Sequence, residues 1–404
     1  MSGTPAGAGA IPDLLFLAPC LPCPPDRGDR LRWYHMLRFL GQRYRVHLGC
    51  FAEPGREPGH TSRIKALCYE TCFVAPPQAA RIRAVRAFAR GLPPEPDQVL
   101  AGWIERLLRR QPIGAALACS AHMASYLPGR PCTSVIDLAG VESDLRRRAA
   151  AQRRWPLGAL AQRQAAILFA HERAAALRCE HVLFASASHA ALFGQLGPAS
   201  GSRSSVVANG VDADYFSPHI VHRNPFGAGG RAIVFDGDMD GAGSALPAAW
   251  FAQHVFAPLH AADPSLRLCV AAARPDARLR ALARLPGVAV TGAVPDLRPW
   301  LAHAALVVAP ARAAVLEAMA MQQVVVAAPQ SAAGLAARPG IELLVADGAT
   351  EFQRQVRLAL DAGGIGAIGK AARACVLREH SWPASLAPLA ALFGTPAAHS
   401  ARPA

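Results

Sequence analysis

Six short apolar runs in the second half of this 404-residue chain constrain its fold most: "RAIVFDGD" (231–238), "LRLCVAA" (266–272), "VAVTGAV" (288–294), "ALVVAP" (305–310), "VVVAAP" (324–329) and "ELLVAD" (342–347). Helical patterns such as "ALPAAWFAQHVFAPLH" and "PDLRPWLAHAA" separate them. Short, continuous apolar strands alternating with helices predict a parallel sheet covered on both faces. The first half repeats the alternation. "LLFLAP" precedes the helix "GDRLRWYHMLRFLGQR", whose Leu31, Tyr34, Leu37 and Leu40 make one apolar stripe. "RVHLGCF", "TCFVAP", "IGAALACS", "TSVIDLAG" and "HVLFAS" follow as strands, with an Arg/Ala-rich helix over 157–178 ahead of the last.

Between the halves, "SSVVANGVDADYFSP" reads as a strand, an Asn-Gly turn and a proline stop, as an interdomain connection would. The predicted organisation is therefore an N-terminal domain over 1–207, a linker over 208–230, a C-terminal domain over 231–375, and a closing helix and tail over 376–404. The fold class is α/β: two doubly wound, Rossmann-like parallel-sheet domains facing across a cleft. Such folds bind ligands at the carboxyl ends of their strands, which restricts the chemistry to strand-to-helix loops.

Composition narrows the function classes. With 52% apolar and 17% charged residues, wholesale disorder is excluded, and no apolar run is long enough to span a bilayer. The first ten residues lack the pattern of a signal peptide, so a cytoplasmic location is expected. Ten cysteines fit that compartment as free thiols. Cys20 and Cys23 with Cys68 and Cys72 offer four thiolates, but without the glycines of a zinc knuckle, and no metal is expected. The net charge of +14 is uneven: residues 1–210 hold 26 Lys/Arg against 14 Asp/Glu, or +12, and residues 211–404 hold 16 against 14, or +2. Different partners for the two halves follow. No nucleic-acid-binding module accompanies the arginines, so a nucleic acid is not expected among them. The segment "RIRAVRAFARGLP" interleaves Arg81, Arg83, Arg86 and Arg90 with Ile82, Val85 and Phe88. It reads as a surface helix with its core stripe inward or as a helix lying on an anionic membrane.

Three loops carry candidate chemistry. In "IVFDGDMDGAGSALPAAWF", Gly237, Gly241 and Gly243 let backbone amides approach a phosphate, or simply make a turn capped by Ser244; Asp236, Asp238 and Asp240 argue against a bare anion site. In "PPDRGDRLRWYHML", Gly28 permits close approach where Asp29, Arg30 and Arg32 cluster, as helix capping or as a site for a diphosphate or acidic acceptor. In "VVAPARAAVLEAMAMQQVVVAAP", Glu317 is the one acid of an otherwise apolar helix. A carboxylate there is costly unless something binds it or water reaches it.

"ANGVDADYFSP" resembles the linker signature of the two-domain (GT-B fold) retaining glycosyltransferases, and "VLEAMAMQQVVVAAPQSAAGL" resembles their donor-domain motif. More narrowly, "PPDRGDRLRWYHMLRFL", "HLGCF", "GDMD" followed by "AWFAQHV", "DLRPWLAHAALVVAP", "VLEAMAM" and "PGIELLVAD" are similar, in order, to a bacterial subfamily associated with exosortase/PEP-CTERM sorting and exopolysaccharide loci. The resemblance runs from about residue 14 to 392. It implies a nucleotide-diphosphate sugar as donor substrate, no cofactor, and a saccharide or lipid-linked acceptor. It further implies that Glu317 accepts hydrogen bonds from the donor ribose in a solvent-reached cleft, with Gly237, Asp238, Asp240 and Arg298 also on the donor side. Gly28, Asp29 and Arg30 fall on the acceptor or phosphate side, and Asp137 and Asp144 are the candidate catalytic carboxylates. The basic N-terminal half would then face the inner surface of the cytoplasmic membrane.

The chain also departs from the family. The wider group carries a second Glu eight positions before Glu317, where this chain has Ala309. "APARAAVLE" is several residues shorter than its counterpart and lacks its Gly, Asn and Lys; the aromatics expected after "GDMD" are replaced by "GAGSA"; and Gly140 stands where an Asp is usual. These departures support an alternative, a diverged paralogue that serves as a scaffold in a polysaccharide or protein-sorting system.

Overall fold

A computed structural model describes residues 11–393, apart from 25–27, 53–57, 76–95, 130–131, 152, 198–202, 228–230, 238–244, 273–274, 293 and 362–364. The chain forms two units, one comprising Met1–Asn209 with Leu386–Ala404 and the other Gly210–Ser385. The closing segment predicted as one piece over 376–404 is thus divided between them.

The first unit is built on β1 (Asp13–Ala18), β2 (Arg45–Phe51), β3 (Glu70–Val74), β4 (Ile113–Ala118), β5 (Thr133–Ala139), β6 (His181–Phe184) and β7 (Ser204–Val206). They lie in the order β3-β2-β1-β4-β5-β6-β7, and every pairing is parallel. All six residues of β1 are buried, as a continuous apolar run covered on both faces requires. Three helices position the site of this unit: α1 (Gly28–Gly41), α2 (Glu142–Ala151) and α3 (Leu157–Arg178). The second unit repeats the plan with β8 (Arg231–Asp236), β9 (Leu266–Ala271), β10 (Val288–Val290), β11 (Leu306–Ala309), β12 (Val325–Ala327) and β13 (Leu344–Val345), in the order β10-β9-β8-β11-β12-β13. Helix α4 (Arg312–Ala320) follows β11.

In each sheet the direction of winding reverses once, between β1 and β4 and between β8 and β11. Those reversals open a crevice at the carboxyl ends of the neighbouring strands. Apolar side chains fill both sides of each sheet. In the second unit, Ile233, Phe235, Leu268, Val308 and Val326 belong to one core, and Val234, Val307, Val325 and the apolar face of α4 to the other. The alternating strand residues therefore point to opposite cores, which is why these strands read as unbroken apolar runs.

Candidate active site

In the second unit, β8 ends at the switch point on Asp236, followed by the half-buried Gly237. Its neighbour β11 ends on Ala309, and only Pro310 and Ala311 separate it from α4. Ala311 is extended and offers no side-chain cap, so the first amides of α4 are left without one. The short turn is held from outside. Ser331 donates to the Pro310 carbonyl at 2.6 Å, and Arg312 Nη1 donates to the Ala333 carbonyl at 3.3 Å. The far end of α4 is held by Arg373, which donates to the carbonyls of Ala320, Phe216 and Ala213. The helix that carries Glu317 is thus fixed at both ends.

Glu317 is half-buried among Leu316, Ala318 and Met319, and no described residue donates a hydrogen bond to its carboxyl. Burial, reinforced by the Asp236 carboxyl, pushes its pKa up to about 8. Asp236 is itself buried, its Oδ2 has no partner among the described residues, and burial raises it to about 7. Two carboxyls are therefore close enough at the switch point for Asp236 to raise the proton affinity of Glu317, with no cation paired to either among the described residues. Buried polar groups left in that state are a cost that a ligand can remove. Because both pKa values lie near neutrality, the pair carries protons there and can donate as well as accept, which suits sugar hydroxyls better than phosphate. Arg312, its charge partly desolvated and its pKa lowered, is the cation at the start of the same helix.

Arg298 lies elsewhere in its partnerships. It grips Asp296 with Nε and Nη2 at 2.7–3.1 Å, and its guanidinium stacks 3.8 Å above the Tyr215 ring. Its charge is already matched. Asp238 and Asp240 lie outside the described residues.

In the first unit a cavity of about 790 Å³ opens beside the β1/β4 switch point. Asp29, Asp137, Glu142, Glu172, His122, His171, His189 and Asn209 line it, together with Trp33, Leu138, Leu145 and Leu168. Gly28 has φ +56° and begins α1 in the left-handed region that glycine tolerates. Gly28, Asp29 and Arg30 are all exposed. Asp29 lines the cavity; desolvation there and the nearby Asp137 carboxylate push its carboxyl up, with Arg32 pulling it down. Arg30 hydrogen-bonds Cys20 and is not part of the lining.

The residue that organises this site is Arg32. It is fully buried, and its Nε and Nη2 hold both oxygens of Asp137 at 2.9–3.2 Å. Its Nη1 donates to the Val207 carbonyl at 2.6 Å and to Asn209 Oδ1 at 2.8 Å. Asp137 reaches the cavity wall already bound, so its first role here is to neutralise Arg32. Asp144 is buried in the first turn of α2, where Arg147 and Arg148 claim its oxygens at 2.5 and 2.6 Å and hold it well below the usual carboxylate range. It is absent from the lining, and Glu142 takes that place. Glu172 accepts from the Ser143 hydroxyl at 2.5 Å and the Ser143 amide at 3.2 Å, which fixes the start of α2 against α3.

The three histidines were not singled out from sequence. Burial lowers His122 and His171, so both are neutral at pH 7. The Nδ1 atoms of His122 and His189 are buried without a partner among the described residues. A Cβ on Gly140 would meet the His189 ring at 3.5 Å, an ordinary van der Waals contact, so the imidazole's place at the wall does not require glycine there. Only the convergence of separate loops marks these side chains; none of them has a local motif. Neutral imidazoles, carboxylates and apolar surface together suit a hydroxyl-rich ligand with an apolar portion.

The comparisons with known proteins agree with this architecture. The fold is shared, over nearly the whole chain, with a glycosyltransferase from Rickettsia africae (11% identity, 95% of this chain and 97% of that one, TM-score 0.59). It is shared likewise with Anabaena HepE in complex with UDP and glucose (14%, 95% and 99%, 0.59). WaaG, a glycosyltransferase involved in lipopolysaccharide biosynthesis, is a third such structure (14%, 94% and 100%, 0.58). Two Rossmann-like parallel-sheet domains of this kind define the GT-B class of fold. Residues 231–362 match the family described as glycosyl transferases group 1. That match lies within the second unit and, together with the shared fold, supports a transferase. No curated protein matches the sequence.

Proposed function

We propose that the chain transfers a sugar from a nucleoside diphosphate sugar to a saccharide or lipid-linked acceptor, with retention of configuration, in bacterial exopolysaccharide assembly at the inner face of the cytoplasmic membrane. The observation that carries this reading is Glu317, an unpartnered carboxyl at the switch point of a group 1 glycosyltransferase domain. Glu317 and Asp236 receive the ribose hydroxyls, and Arg312 with the uncapped amides of α4 faces the diphosphate. The cavity of the first unit receives the acceptor. The bond from the anomeric carbon to the diphosphate oxygen breaks, an acceptor hydroxyl oxygen bonds to that carbon, and its proton leaves with the nucleoside diphosphate. Arginine and backbone amides match the leaving charge without a metal. HepE, similar in fold, has been crystallised with UDP-glucose, which makes a uridine donor the first to try.

Calorimetric titration with UDP-, GDP- and ADP-sugars tests the reading. One of them should bind, and Glu317→Gln should weaken it roughly tenfold above pH 8, where the carboxyl is ionised and the change removes a charge-assisted hydrogen bond. The shortened turn and Ala309 favour a second reading, a scaffold without donor chemistry. Absence of binding by all three at millimolar concentration would establish that alternative.

A further inference from the structure

Of the six tryptophans, Trp155 is set apart by being 85% exposed. It stands in the turn joining α2 to α3, two helices that pack together as a hairpin. Leu157 and Leu160, on the first turn of α3, are 65% and 54% exposed. Arg153, Arg154 and Arg163 surround them, all exposed and with no acidic partner among the described residues. The acids nearby are already used: Glu142 pairs with Arg146, and Asp144 with Arg147 and Arg148. Residues 142–164 hold six arginines against two acids, a net +4. Leu145, also exposed, forms part of the cavity wall with Arg146, so the patch begins at the rim of the proposed acceptor site.

An indole and two leucines projecting among unpaired guanidinium groups have no internal structural use. Exposing them to water is unfavourable, and a charged protein partner would match the arginines but not the apolar tip. An anionic bilayer matches both at once: tryptophan settles at the headgroup level, leucine enters the acyl boundary, and arginine neutralises lipid phosphate. We infer that the tip of the α2–α3 hairpin, Trp155 with Leu157 and Leu160 ringed by Arg153, Arg154 and Arg163, docks the first unit onto an anionic lipid surface and sets the rim of the acceptor cavity at the headgroups. The inference rests on the reading of a lipid-linked acceptor, whose sugar would reach the cavity while its lipid stays in the bilayer. It assigns the contact to this hairpin and not to the arginines of 81–93, which lie outside the described residues.

The test is co-sedimentation of the full chain with phosphatidylglycerol/phosphatidylcholine vesicles and with phosphatidylcholine alone. Wild type should pellet with the anionic vesicles only. Arg153→Glu/Arg154→Glu should weaken partitioning about tenfold or more, and Trp155→Ala/Leu157→Ser should weaken it severalfold at unchanged charge. Lipids carrying a spin-label quencher should reduce tryptophan emission in wild type and much less in Trp155→Phe. Wild-type binding that both double variants retain would overturn the hairpin assignment, as would loss in Arg83→Glu/Arg86→Glu/Arg90→Glu alone. Absence of wild-type binding to vesicles, or capture by RNA in its place, would overturn the membrane contact itself. Calorimetry of the sugar nucleotide without vesicles reads the transferase proposal separately, and equal donor affinity in the double variants shows that they are folded.

Discussion

Asp236 and Glu317 show how far a single side chain can carry a pH dependence. Their pKa values rise to about 7 and about 8 in the folded protein, above the ordinary carboxylate range. Between the unfolded and folded values the native state binds more protons than the unfolded chain, so stability is fully present below about pH 4 and falls as pH rises through 7 to 8. Asp236→Asn removes the buried charge and its push on Glu317. The variant should match wild-type stability near pH 4 and exceed it near pH 8, by an amount on the order of 2 kcal/mol or more, since each pKa step is about 1.4 kcal/mol. A thermal melt at both pH values checks this; equal melting temperatures at pH 8 would show that a counter-charge already faces the pair. Glu317→Gln should likewise stabilise at pH 8 while weakening donor binding. A cleft carboxylate reached by solvent, as the family resemblance implies for Glu317, would leave stability unchanged. The melt at pH 8 distinguishes that reading from a desolvated carboxyl whose removal relieves the fold. The apolar neighbours of Glu317 were legible in the sequence, but the approach of Asp236, on a strand 81 residues earlier, was not.

At the scale of elements, the buried Arg32–Asp137 pair ties α1 to β5 and to the chain at Val207 and Asn209. Five hydrogen bonds from one guanidinium fix the start of α1 relative to the cavity. Breaking such a pair from one side leaves an uncompensated buried charge, so Asp137→Ala should cost about 3–5 kcal/mol, measured by denaturant unfolding. Arg32→Met/Asp137→Leu should cost much less than the single change. If Asp137 acted only on substrate, Asp137→Ala would abolish transfer at unchanged stability. The strand "TSVIDLAG" and the helix after "PPDRGDR" were both readable, as was the acidity of residue 137. Their pairing across 105 positions was not, because nothing local in either segment specifies the other. Asp144 is the converse case. Its spacing to Arg147 and Arg148 on one helix already favoured local ion pairs.

For the whole molecule, the asymmetry of +12 against +2 sets the expectation that the first half makes the contact with an anionic surface. Attachment that depends on charge should weaken with salt, because the screening length falls from about 10 Å at 0.1 M to about 3 Å at 1 M. Vesicle pelleting should therefore decline steeply between those concentrations, leaving the residue held by Trp155 and the leucines. Donor binding should withstand salt far better, being made largely by partly desolvated groups. It should also be unchanged, within about twofold, after treatment with a chelator, since the proposed donor site neutralises phosphate with arginine and amides. A chelator effect reversed by a divalent cation would refute that arrangement.

What the sequence determined by itself was periodic. Unbroken apolar runs separated by helical patterns can be satisfied only by parallel sheets buried on both faces, and the strands "RVHLGCF" and "RAIVFD" appear as β2 and β8. Strand order, and with it the two switch points, came only from the tertiary structure, because the alternation of strands and helices is the same for several orders. Tertiary structure alone decided which charges remain available for chemistry. Arg32, Asp137, Asp144 and Arg298 carry the residue types of a binding site, but each is matched by a partner, whereas Asp236, His122 and His189 retain polar atoms with no partner among the described residues. Residue type and spacing report which charge a side chain bears. Asp144 and Arg298 find their counter-charges within four residues, whereas the pairing of Arg32 with Asp137 depends on packing between segments 105 residues apart, which no local pattern encodes.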